Sequence, residues 1–84
     1  MVIIKFAQAI ANVIIFLEYS PEDILDEDAS IEALEQLGAD LQALDPQSQQ
    51  ELAEGFRLIA SSYTGEIREF VARLPYALGI EEEE

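Results

Sequence analysis

The side chains able to do chemistry in this sequence are almost all carboxylates. Its 84 residues include 18 Asp and Glu, 4 Lys and Arg, and neither His nor Cys. Two carboxylates can act as general acid and base, but only when a cleft gives them different environments. Here the acids fall on outer helical faces or in loops. No nucleophile has a base at a telling spacing, so no enzymatic activity is expected. Without His and Cys, the chain lacks the usual zinc ligands, disulfides, histidine-ligated haem, and Ser-His-Asp or Cys-His nucleophiles. Glycine-rich phosphate loops are also missing, and no cofactor is expected.

Calcium chemistry is the closest approach to a metal site. Asp26, Asp28 and Ser30 have the spacing of the first three ligands of a twelve-residue calcium loop. Such a loop needs Gly at its sixth position and Glu at its twelfth. Those positions hold Ile31 and Leu37. The segment reads instead as a solvated acidic loop that caps a helix, with Asp28 the expected cap, and no metal site is expected.

Charge distribution discriminates more sharply than any motif. The formal net charge is −14, and no basic residue occurs between Lys5 and Arg57. Residues 18–54 contain 12 acids. Nucleic-acid binding is excluded, because affinity for phosphate backbones comes from cationic side chains. Uncompensated charge costs stability through self-repulsion, and it steers association with a positive partner. The expected function is therefore binding of a basic protein, such as the nucleic-acid site of a toxin nuclease, by occlusion. The residues expected to carry it are Tyr19, Glu22, Asp23, Asp26, Glu27, Asp28, Glu32 and Glu35, with Tyr19 supplying contact area.

The elements that must position these residues are helical. Residues 2–17 are apolar except for Lys5, Gln8 and Asn12, which share one narrow helical stripe. This helix is expected to be central in the domain. Its apolar circumference exceeds what three short helices cover, so the alternative function is a homo-oligomer. Lys5, Gln8 and Asn12 would then form a polar seam in the interface. A membrane role is not expected, since the run falls short of the roughly 20 residues of a spanning helix. A basic leader segment is also lacking. A cytoplasmic setting follows.

Ser20-Pro21-Glu22-Asp23 predicts one short helical turn over 21–25. A second helix is predicted near 29–44, with Ile31, Leu34, Leu37, Leu41 and Leu44 on one apolar face. Asp45-Pro46 starts a third, near 46–62, with Leu52, Phe56, Ile59 and Tyr63 inward. Gly55 weakens that helix unless it permits a close helix approach. A fourth is predicted near 65–74, kinked or restarted by Pro75 with a last turn over 76–78, with Gly79 suited to a helix C-terminus and Ile80 folding back. Residues 81–84 read as a frayed, disordered acidic tail, and 1–80 as one all-α, four-helix bundle-like domain.

Two family resemblances are short. Leu37-Gly38-Ala39-Asp40 resembles the start of the attachment motif of acyl carrier proteins. In that family the next residue is the serine that carries phosphopantetheine; here it is Leu41, so a carrier function is rejected. In size, helix count and acidity the chain is similar to the bacterial immunity proteins that neutralise DNase colicins. Their acidic third-helix segment with adjacent paired tyrosines is not present, since Tyr19, Tyr63 and Tyr76 are isolated. That resemblance implies an inhibitory partner interaction and assigns no residues.

Overall fold

The computed structural model describes residues 2–81. Four helices follow in order, α1 (Val2–Tyr19), α2 (Glu27–Gln42), α3 (Pro46–Ala60) and α4 (Gly65–Ala77). No strand occurs among the described residues. The fold is the expected small helical bundle, and α1 packs on all three other helices. Its Cα radius of gyration is 12.6 Å, close to the roughly 12 Å of a compact chain this long.

The core forms where α1 meets α3 through small residues. Ala7 and Ala11 are fully buried on α1, and Ala53, Gly55 and Ala60 are buried on α3. A Cβ added at Gly55 would stand 3.1 Å from the Ala7 Cβ. The glycine thus permits the close approach that justifies its cost in helix propensity. Around this seam, Ile14, Leu52, Phe56, Ile59, Val71 and Leu74 close the core. Burying each such large side chain stabilises by about 1.5–3 kcal/mol.

Local signals set most helix ends. The Asp45 side chain accepts from the Ser48 N–H at 3.2 Å and from the Ser48 hydroxyl at 2.6 Å, with Pro46 in the first turn of α3. The expected cap of α2 was Asp28; the observed one is Asp26, whose Oδ2 accepts from the Ala29 N–H at 3.0 Å. The helix therefore begins at Glu27, and Asp28 lies in its first turn.

The fourth helix runs through Pro75 as far as Ala77, so the turn expected after the proline is part of the same helix. Proline removes one N–H from the last turn, but its carbonyl accepts from both the Ile80 and Glu81 N–H groups at 3.1 Å. Gly79 adopts φ 74° and its N–H donates to the Tyr76 carbonyl at 3.1 Å. These bonds form a Schellman end, which turns Ile80 back into the core as expected. Glu81, expected to begin the disordered tail, is instead anchored, since Arg57 Nη1 donates to its Oε1 at 2.6 Å. The remainder of the expected acidic tail, 82–84, lies outside the described residues.

α2 departs most from its predicted face. Leu41 is buried and Leu34 and Leu37 are half-buried, but Ile31 and Leu44 are exposed. This helix packs principally on α1, so part of its apolar stripe has nothing over it. Polar ties hold its ends. The Ser30 hydroxyl donates to the Leu17 carbonyl at 2.9 Å, and Gln42 Nε2 donates to the Leu78 carbonyl at 2.9 Å.

Candidate functional site

The acidic segment is built around one turn between α1 and α2. The Ser20 N–H donates to the Phe16 carbonyl at 3.1 Å and ends α1. The Ile24 and Leu25 N–H groups both donate to the Pro21 carbonyl at 3.0 Å, which makes the predicted short turn. Proline at its head fixes φ and needs no donor partner. The turn reverses the chain within seven residues, from Tyr19 to Glu27, and lays the start of α2 beside the end of α1.

This reversal leaves a groove of about 450 Å³ between the two helices. Its lining is mainly polar, with Glu18, Glu22, Glu27, Ser20 and Ser30, and Leu17, Leu25, Ile31 and Leu34 add the apolar part. The carboxyl of Glu27 is held above the ordinary carboxylate range. A hydrogen bond with the Glu22 carboxyl is the main cause, followed by repulsion from that same group, then desolvation and the charges of Asp28 and Asp26. The two carboxyls therefore face one another in this groove. The Arg57–Glu81 ion pair lies elsewhere and involves neither.

The eight residues expected to meet a partner are all exposed. Only Glu22 and Glu27 line the groove. Glu35 lines a second groove of about 450 Å³ farther along α2, which shares Ile31 and Leu34 with the first. Asp26 is engaged as the α2 cap, and Asp23, Asp28 and Glu32 lie outside both grooves. Tyr19 packs edge-on against Phe70 with ring centroids 5.3 Å apart. Its hydroxyl is pushed up by desolvation, then by Glu66 and Glu18. It is thus both a packing residue and partly open. Sequence reasoning missed the apolar lining residues and Ile24, which is 66 % exposed beside the acids. An isoleucine in the middle of an acidic turn was the available signal.

The three residues of the expected oligomer seam are not equivalent. Lys5 is exposed and Gln8 is half-buried. Asn12 Oδ1 accepts a 2.6 Å hydrogen bond from the Tyr63 hydroxyl of its own chain. The open apolar line on α1 runs instead through Val2, Phe6, Ala9, Val13 and Phe16. The apolar run was expected to fall short of a membrane span, but α1, at 18 residues, is long and apolar enough to cross one by length and composition alone, and 17 % of it is buried within the molecule.

Among the described residues, no three acidic side chains converge to hold a metal ion. The Asp26-Asp28-Ser30 spacing is absorbed by helix capping and by the Ser30–Leu17 bond. Leu41, where a carrier protein has its serine, is a core residue.

Fold and groove together define an acidic four-helix domain with a groove lined by carboxylates and leucine and isoleucine side chains. No protein-family model matches the chain, and no curated protein or solved structure matches it.

Proposed function

We propose that the protein is a non-catalytic binding domain whose α1–α2 groove receives basic side chains of a protein partner. The observation that carries this reading is the juxtaposition of Glu22 and Glu27 in one groove with Leu17, Leu25, Ile31 and Leu34. Arg and Lys have long apolar stems and charged heads. A stem laid on Leu17, Leu25, Ile31 and Leu34 puts its head among Glu18, Glu22 and Glu27. Charge-assisted bonds then replace the repulsion between the two glutamates. The second groove, with Glu35 on its edge, extends the first for a further side chain.

Occupation of a basic surface by this acidic face blocks whatever that surface binds. Where the surface is a nuclease's phosphate-binding site, the result is inhibition by charge mimicry. The class is that of small acidic inhibitors, to which bacterial immunity proteins belong, and a cytoplasmic setting goes with it. Long-range attraction speeds encounter, and the leucine and isoleucine side chains of the groove add apolar contact.

The test separates groove recognition from general acidity. Binding of a fluorescent hexa-arginine peptide is measured by anisotropy at low and moderate salt. The double variant Glu22→Gln/Glu27→Gln is compared with Glu51→Gln/Glu54→Gln, which makes the same charge change on α3. The groove variant should lose at least about fivefold in affinity and the α3 variant much less, since near charges outweigh screened distant ones. Equal losses, or binding indifferent to salt, would refute the proposal.

A further inference from the structure

The molecule leaves one large surface without a role in the acidic groove. Val2, Phe6, Val13 and Phe16 are 70, 60, 54 and 52 % exposed. With Ala9 they recur at steps of four and three, which places all five on one side of α1, opposite the buried Ala7, Ala11 and Ile14. With about 150–250 Å² in a whole aromatic side chain, the four large residues expose roughly 400 Å². That equals a large apolar patch for a monomer, a size commonly tied to interaction.

We infer that this stripe is the interface of an antiparallel homodimer, α1 against α1 of a second copy. Three observations choose the occupant and its orientation. The first is charge. The chain carries −14, yet α1 has one Lys and one Glu. A second copy meets repulsion over residues 18–54 and little along this helix.

The second is shape. A two-fold interface must be self-complementary. The stripe is arranged about Ala9, with Phe6 and Val2 on one side and Val13 and Phe16 on the other. Antiparallel pairing through Ala9 sets Phe6 against the partner's Val13 and Val2 against the partner's Phe16. Each large ring meets a smaller side chain, and alanine at the crossing lets the backbones approach. Parallel pairing would oppose Phe6 to Phe6 and Phe16 to Phe16.

The third is the position of the acidic turn. It follows directly on the end of α1. Parallel helices would bring two such turns side by side; antiparallel helices send them to opposite ends, about 27 Å of helix apart. Lys5 then lies near the partner's Asn12, at the edge of the stripe. The helix dipoles also oppose one another favourably.

The apolar patch is about half of the roughly 800 Å² that each partner gives to a standard interface. The dimer is accordingly concentration-dependent, with dissociation in the micromolar range.

The chain has no cysteine, so introduced thiols report cleanly. Sedimentation of the intact chain should move from 9.4 kDa toward twice that mass between about 1 µM and 1 mM. Phe6→Asp, at an exposed position, should raise the dissociation constant at least about tenfold with helical circular dichroism unchanged. Oxidised Ala9→Cys should cross-link to itself, and Glu32→Cys should not. Phe6→Cys mixed with Val13→Cys should give the hybrid dimer in excess of either self-linked product. Self-linked Phe6→Cys in excess would overturn the antiparallel arrangement. A strict monomer throughout, with no Ala9→Cys product, would overturn the dimer. Flotation with phosphatidylcholine vesicles by a chain that stays monomeric would do the same, in favour of a lipid surface.

Discussion

The Tyr63 hydroxyl donates to Asn12 Oδ1 at 2.6 Å, joining residues 51 positions apart in the chain. It pins the segment after α3 to the middle of α1, and it engages a side chain otherwise free to serve the dimer edge. Both groups reach solvent, so the net worth of the bond is modest, about 0.5–1.5 kcal/mol. Tyr63→Phe and Asn12→Ala should each lower the urea midpoint by a corresponding amount. Their double variant should show coupling of a similar size. Strictly additive losses would mean that packing, not this bond, carries the effect.

What was legible in the sequence was local. Asp45-Pro46 announced the start of α3 because cap and proline act within one turn. Gly79 and Ile80 announced the end of α4 for the same reason. Leu52, Phe56 and Ile59 gave the inner face of α3 because polar residues marked its other side. α1 offered no such contrast. Apolar residues surround it, so periodicity left open which face is buried. The small side chain of Ala7, which fits against Gly55, and the fully buried Ala11 settle that. Periodicity also named Ile31 and Leu44 as inward, but an apolar stripe shows only what could be covered, and α1 alone does not reach them.

The candidate site was legible as a charge pattern and not as a shape. Counting acids picked out Glu22 and Glu27 among eight candidates without distinguishing them. Their proximity depends on the seven-residue reversal at Pro21. The apolar lining of Leu17, Leu25, Ile31 and Leu34 depends on how α2 leans on α1. Neither follows from spacing within one helix.

Gly55 sets the distance between α1 and α3. Alanine there would gain about 1 kcal/mol of helix propensity. It would also place a Cβ 3.1 Å from that of Ala7, with the Ile3 carbonyl 3.7 Å away. Gly55→Ala should therefore be close to neutral, whereas Gly55→Val should destabilise by about 1–3 kcal/mol through overpacking. Thermal unfolding of the two variants distinguishes a packing limit from a simple propensity effect, which would leave valine nearly as stable as alanine.

Gly79 and Gly65 both have positive φ, at 74° and 58°, but their surroundings differ. A Cβ at Gly65 meets nothing within 4 Å. At Gly79 it would meet Gln42 Nε2 at 2.5 Å, the atom that donates to the Leu78 carbonyl. Gly65→Ala should cost only the left-handed backbone penalty, about 1–2 kcal/mol. Gly79→Ala should cost that and the displaced Gln42 bond, about 1 kcal/mol more. Denaturant titration should rank Gly79→Ala as the less stable. The order should collapse when both are made in a Gln42→Ala background.

Two carboxyls predict opposite responses to acid. Asp45 is held below its usual range, mainly by the Ser48 hydroxyl and then the Ser48 N–H. Its contribution is present above the unfolded pKa of about 3.9 and is lost as pH falls through the lower folded value. Glu27 is held above its usual range, mainly by Glu22. A raised folded pKa favours the folded state at low pH, and that advantage is lost as pH rises through it. On acidification from neutrality the protein should first become more stable, as Glu27 takes up its proton. It should then lose stability below about pH 4, as Asp45 does. Glu27→Gln should flatten the first limb while raising the melting temperature at pH 7. Asp45→Asn, which keeps a capping oxygen without the charge, should flatten the second. The melting temperature measured from pH 3 to 7 decides both. A wild-type curve that only falls on acidification would show that Glu22 and Glu27 do not oppose one another. It would also remove the repulsion that a basic side chain in the groove is proposed to relieve.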